Sequence, residues 1–143
     1  MLKIKIKKTE GAKIPSYAHK GDSGVDLYST EDYTLKPMER KLIGTGIKIA
    51  IPYGYEGQVR PKSGLAINHG ISHANSIGTI DSGYRGEIKV PMINLGTEPY
   101  RIEKGSKIGQ MVFAKVEEAE FEETDNLGET TRNEGGFGST GLK

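Results

Sequence analysis

Ile43, Thr45, Ile47, Ile49 and Ile51 occupy every second position of one run that ends at Pro52-Tyr53-Gly54. A repeat of two places all five side chains on one face of an extended chain, and β-branched residues suit that backbone. The same alternation opens the chain, where Leu2, Ile4 and Ile6 face one way and Lys3, Lys5 and Lys7 the other. Lysines on the wet face mark an edge strand. Val25–Tyr28, Tyr55–Arg60 and Ile71–Ile80 also read as strands. Glu87–Asn94 reads as one interrupted by Pro91, which predicts an edge or a bulge. Ile108, Val112 and Val116, set against Met111 and Phe113, predict a last strand buried on both faces. Ser63–Gly70 alone has a helical look, with Ser63 as a capping residue and Gly70 as a stop.

Twenty glycines and a hydrophobic content of 34% suit strands and turns rather than a helical bundle. The prediction is an all-β, distorted jelly-roll-like barrel with one short helix, filling residues 1–121. From 122 to 143 the composition changes: Leu127, Phe137 and Leu142 are the only large apolar residues, and glycine, hydroxyls and charge fill the rest. Such a segment builds no core and is expected to form a flexible arm.

Lys and Arg number 20 against 19 Asp and Glu, a net charge of +1. A general DNA or RNA binder would carry a basic surplus, so none is expected, although a local anion pocket is compatible with that balance. Cysteine is absent and histidines number three, which removes thiolate metal sites and disfavours zinc. The alternating N-terminus is neither a signal peptide nor a membrane span, so a soluble, cytoplasmic protein is expected.

Three stretches carry chemistry. In Gly78–Val90, Asp81 precedes Tyr84, and Gly83 and Gly86 flank Tyr84-Arg85, where the backbone can bend or admit a close neighbour. A lone Asp of this kind is more often a turn cap. Arg60-Pro61-Lys62-Ser63-Gly64 combines two cations with a helix start, a seat for an anion or simply a cap beside surface charge. Arg132 to Gly141 interleaves glycines and hydroxyls with Phe137, a ring that nothing in the arm could bury. Free N–H groups, hydroxyls and a guanidinium suit phosphate, and an isolated ring suits stacking on a planar group. Asp26 interrupts an apolar strand; by itself it is expected to be exposed.

Read together, these stretches resemble the deoxyuridine triphosphatase (dUTPase) family over almost the whole chain. Five motifs occur in order: Gly24-Val25-Asp26-Leu27, Arg60 to Ala66, Gly78 to Gly86, Gly105-Ser106-Lys107-Ile108-Gly109-Gln110, and Gly135 to Gly141. The resemblance implies a homotrimer with active sites between subunits, each closed by a neighbour's arm. It implies hydrolysis of dUTP to dUMP and pyrophosphate with Mg²⁺. Asp81 would activate the water that attacks the α-phosphorus. Asp26 would hold waters of the magnesium, which the triphosphate ligates directly, with Gln110 assisting.

By the same resemblance, Arg60, Lys62, Ser63 and Gly64 would meet the phosphate chain. Arg132, Gly138, Ser139 and Thr140 would hold its outer end. Tyr84 would pack under the deoxyribose and exclude a 2′-hydroxyl. Asn75, Gly78 and Ile80 would present the uracil with its hydrogen-bond pattern, and Phe137 would stack over the base. The sequence departs from the family pattern at Val25, Lys62, Gly83, Ser106-Lys107 and Asn133. The Ser106-Lys107 departure is expected to touch local packing more than catalysis. His73 is expected to be a solvated or half-buried strand residue without a role. Two rival readings are a same-fold dCTP deaminase, in which Glu87 would be the candidate acid, and a nucleotide-binding regulatory β-module.

Overall fold

A computed structural model describes all 143 residues. Eleven strands and one helix account for its regular structure, and every strand pairing is antiparallel. β1 (Lys5–Lys8) pairs with β5 (Ile47–Ala50), and β3 (Tyr33–Leu35) with β10 (Tyr100–Ile102). β4 (Arg40–Gly44), β9 (Lys89–Asn94) and β7 (Ile71–His73) form a three-stranded sheet in that spatial order. The fourth sheet runs β2 (Val25–Tyr28), β11 (Lys107–Lys115), β6 (Tyr55–Arg60), β8 (Gly78–Ile80). The all-β class is as expected, while the hydrogen bonding is divided among four sheets and does not run round a closed barrel.

The sheets enclose one apolar cluster that includes Leu27, Leu35, Ile43, Ile47, Ile71, Ile88, Met92, Ile108 and Met111. The five-residue stripe from Ile43 to Ile51 is buried throughout, but it spans two strands rather than one. The chain breaks at Thr45-Gly46, where Gly46 adopts φ 69° and packs against Thr9 and Ala12. A Cβ there would fall 2.6 Å from Thr9 Oγ1. The buried Thr45 hydroxyl avoids a desolvation penalty by donating to Ile88 O at 2.5 Å.

Ile71–Ile80 likewise divides: β7 and β8 lie in different sheets, joined by a turn with Ser76 at φ 63°. β9 is the centre of its sheet rather than an edge, and it runs through Pro91 without a break. The carbonyl of Pro91 accepts from Ala74 N at 2.7 Å, just past the end of β7. Its missing N–H, which would point to the same side, therefore falls where the ladder has already ended. β11 buries Ile108 and Met111, leaves Val112 and Phe113 half-buried, and ends before the exposed Val116.

α1 (Ser63–His69) starts one residue earlier than expected, with Lys62 rather than Ser63 as the extended N-cap. No side chain caps its first turn, and none of its residues is buried. It is held at the other end. Gly70 turns left-handed at φ 69°, and Leu95 N donates to Gly70 O at 2.8 Å. Beyond the Val116 N to Gly54 O bond no regular element forms, and every side chain there except Gly135 and Gly136 is exposed.

His73 is buried, where the sequence predicts a solvated or half-buried strand residue. Its Nε2 lies 2.9 Å from Ile108 O, so β7 of one sheet is tied to β11 of the other. A carbonyl only accepts, so Nε2 carries the proton and Nδ1 presents a buried lone pair with no partner. Gly109 makes the fit possible, since a Cβ there would lie 2.9 Å from His73 Cε1. Burial pushes the imidazole below its ordinary value, and the Ile108 carbonyl offsets only part of that. Between the two values the unfolded chain binds a proton that the folded one refuses, so stability rises with pH. Acidification from pH 7.5 to about 5 should therefore lower the melting temperature. Thermal melts of wild-type and His73→Leu protein check this, the variant showing a flatter profile across the same window.

Candidate active site

The third motif is built as a hairpin end. β8 pairs through Gly78, Thr79 and Ile80 with Val59, Gln58 and Gly57 of β6. It is the edge of its sheet, so its other side offers N–H and C=O groups with no strand partner. A turn follows, closed by Tyr84 N donating to Asp81 O at 3.1 Å. Tyr84 then folds back over Gly86, and its hydroxyl donates to Glu87 O at 2.8 Å. A Cβ on residue 86 would lie 2.3 Å from Tyr84 Oη, so the close neighbour that this glycine admits is the tyrosine ring itself. Gly83, by contrast, has open space around its α-carbon, so a side chain there would meet nothing.

Asn75, Gly78, Ile80, Asp81 and Tyr84 line one cavity of about 340 Å³. Glu87 and Lys89 join them. Glu87 is half-buried rather than a plain surface residue, and its carboxylate lies over Gly44, where a Cβ would fall 2.7 Å from Oε2. Asp81 is exposed, and both it and Thr79 also border a second opening beside Tyr53 and Glu118.

The first, second and fourth motifs meet elsewhere on the same sheet. Asp26 of β2, Gln110 of β11 and Arg60 of β6 stand directly opposite one another across three strands. Residues in register share a face, so these three side chains form a row. Asp26, Arg60, Lys62, Ser63 and Gln110 line a cavity of about 310 Å³, with Asp22 and Lys107. Asp26 is 4% exposed, not on the surface as its type alone suggested. Lys62 Nζ lies 2.6 Å from its Oδ1 and Lys107 Nζ 2.8 Å from its Oδ2. Burial opposes its ionisation, but hydrogen bonds and charge from Lys107 and Lys62 outweigh burial and hold the carboxyl below its ordinary value.

Two cations thus face one carboxylate oxygen each, and Arg60 adds a third. Arg60 Nη2 donates to Gln58 Oε1 at 2.5 Å, while its buried Nε has no partner. The donor set is one for a polyanion. Gly64, the second residue of α1, is exposed beside this cavity rather than lining it.

Arg132, Phe137, Gly138, Ser139 and Thr140 line neither cavity of their own chain. Arg132 Nε donates to Gly135 O at 2.7 Å and Ser139 N to Gly136 O at 3.0 Å, so this stretch folds on itself. Phe137 is fully exposed. Sequence reasoning left Lys107 and Asp22 out of the site, and it expected the Ser106-Lys107 departure to touch local packing; strict alternation from Gln110 would point Lys107 to the opposite face.

Residues 10–141 match the family model described as dUTPase. The chain belongs to the dUTPase family. It is 62% identical over 130 residues to the deoxyuridine 5'-triphosphate nucleotidohydrolase of Clostridium kluyveri, covering 91% of each chain. Its identity to the Clostridium novyi protein of the same name is 56% over 142 residues, covering 99% of this chain and 100% of that one. Among solved structures, the Staphylococcus bacteriophage 80alpha dUTPase with dUPNHPP superposes with a TM-score of 0.92 at 27% identity, covering 98% and 99% of the two chains.

Gly86→Ala should drive the Tyr84 ring off its seat and break the bond to Glu87 O, at a cost of about 1–3 kcal/mol. Gly83→Ala should leave the ring in place. Crystal structures and denaturant melts of the two variants distinguish these outcomes.

Proposed function

We propose that this dUTPase-family protein hydrolyses dUTP to dUMP and pyrophosphate, limiting uracil in DNA and supplying dUMP, in the cytoplasm. The observation that carries the reading is the division of labour on one sheet. An unpaired strand edge with Tyr84 and Asp81 stands at one place, and a row of cations around Asp26 at another. The first suits a planar base and a deoxyribose, the second a triphosphate.

In this reading the free edge of β8, with Asn75, Gly78 and Ile80, pairs with the uracil. O4 accepts and N3–H donates, whereas cytosine reverses both, so a buried mismatch would leave polar groups unpaired. Tyr84, anchored through Glu87 O and Gly86, forms the floor for the sugar and leaves no room for a 2′-hydroxyl. Arg60, Lys62, Ser63 and Gly64 take the phosphate chain. The N–H groups at the start of α1 have no partner within the helix and no side-chain cap, so they suit phosphate oxygens.

Asp81 orients a water and takes its proton as the water attacks the α-phosphorus, the bond to the leaving pyrophosphate breaking as the new P–O bond forms. No three acids or imidazoles converge to hold a bare metal, and both Asp26 oxygens face ammonium groups. This set fits Mg²⁺ as an ion carried on the phosphate oxygens, with Asp26 and Gln110 reaching only its waters. When bound, Mg²⁺ would neutralise charge on the triphosphate.

The arm, lining neither of these cavities in its own chain, closes a neighbour's site in a homotrimer. There Arg132, Gly138, Ser139 and Thr140 hold the outer phosphates, and Phe137 stacks on the base and sheds water.

Purified protein with Mg²⁺ should release pyrophosphate from dUTP, and from UTP, dCTP and dTTP at least a hundredfold more slowly. Ammonia from dCTP would move it to the deaminase reading. Asp81→Asn should lower kcat by at least a thousandfold and retain nucleotide binding by calorimetry.

A chain lacking residues 132–143 should sediment as a trimer and turn over dUTP very poorly. Refolding it together with the Asp81→Asn chain should restore part of the activity, because mixed trimers pair an intact arm with an intact Asp81. No recovery would show that the arm does not act across subunits.

A further inference from the structure

Lys107 reaches the phosphate-side cavity only because β11 is irregular. Gly109 stands opposite Leu27 and Gln110 opposite Asp26, after which the register slips and Lys107 stands opposite Tyr28. In an unbroken strand, Ile108 would share the outer face with Gln110, and Lys107 would point into the core. The bulge reverses that. Ile108 is buried at 1% exposure, and the Lys107 ammonium lies 2.8 Å from Asp26 Oδ2, on the face that carries Gln110 and Arg60. Bulges commonly re-aim one side chain at a site, and here the residue brought round is a cation.

The charge count around Asp26 gives that cation a use. Lys62 already satisfies Oδ1, so one carboxylate faces two ammonium groups. The Lys107 side chain is 48% exposed, against 29% for Lys62, so its ammonium can leave Asp26 without being buried unpaired. An arriving phosphate chain brings several negative charges into a cavity lined by Arg60, Lys62 and Lys107.

We propose that Lys107 is a further substrate-binding cation, whose ammonium exchanges Asp26 Oδ2 for an oxygen of the nucleotide's phosphate chain beyond the α-phosphate. This rests on the dUTP reading of the site. No bond is made or broken in the exchange; the ion pair with Asp26 is traded for one with phosphate, and Asp26 is left with Lys62 and a free oxygen.

Calorimetric titration of the full-length protein with dUMP and with dUpNHpp tests it. Lys107→Met should weaken dUpNHpp binding about tenfold and change dUMP affinity less than twofold, while Lys107→Arg should recover most of the loss. Lysine acting only as a structural partner of Asp26 would instead weaken both nucleotides together, in step with a lowered melting temperature. That result, or unchanged dUpNHpp affinity in Lys107→Met, overturns the assignment while the wild-type protein still binds. A wild-type protein that binds neither nucleotide overturns the dUTP reading as well.

Discussion

Asp26 is a charged side chain buried at 4% exposure in the middle of a strand, and such a group is tolerated only when its charge is matched. Two lysines meet that demand from places far apart in the chain. Lys62 sits where β6 hands over to α1, and Lys107 where β11 begins. The ion pairs therefore fix how the start of the helix and the start of the last strand converge on β2. This matters because α1 has no buried residue and no N-terminal side-chain cap to set its position independently. The row Asp26, Gln110, Arg60 across three strands is the geometric result, and it gathers three sequence motifs into one cavity.

His73 makes a complementary link. The four-stranded sheet carries both cavities' main walls, yet the turn that bears Asn75 leaves from β7 of the three-stranded sheet. One neutral hydrogen bond from His73 to Ile108 O joins them, next to Gly109, whose missing side chain makes space for the ring. A neutral, buried imidazole holds the two sheets in register without adding charge near the cation cluster. The cost is an unpaired Nδ1, acceptable only while the ring remains uncharged.

Periodicity and turn residues made most strands legible, because a half-buried face must show apolar side chains at every second position. The Ile43–Ile51 stripe was correct as a face and wrong as a continuous strand. Burial preserves the alternation across a break, and only the contacts of Gly46 with Thr9 and Ala12 reveal why the chain bends there. Pro91 misled for a similar reason. A proline is excluded from a central strand only where its N–H would be needed, and the end of β7 removes that need. In the candidate site, the meeting of Asn75, Asp81 and Tyr84 in one cavity was legible because the two turns flanking the short strand β8 carry them. The burial of Asp26 and the orientation of Lys107 were not, since the first depends on partners 36 and 81 positions away and the second on a bulge that no residue pattern announces.

The separation of the two cavities carries a chemical consequence. Asp81 is exposed and makes no ion pair, whereas Asp26 is tied up by two lysines. A general base must keep a lone pair free for the proton it takes. A carboxylate that only helps to seat a charged chain gains from being held by cations until that chain arrives. In the proposed reading the same residue type thus serves two tasks, and the placement of lysines distinguishes the two carboxylates. In that reading a nucleotide meets a β8 edge with its base and the cations around an Asp26 with its phosphates, so both have to be satisfied together before Asp81 has anything to act on. Specificity in such an arrangement comes from satisfying both ends at once.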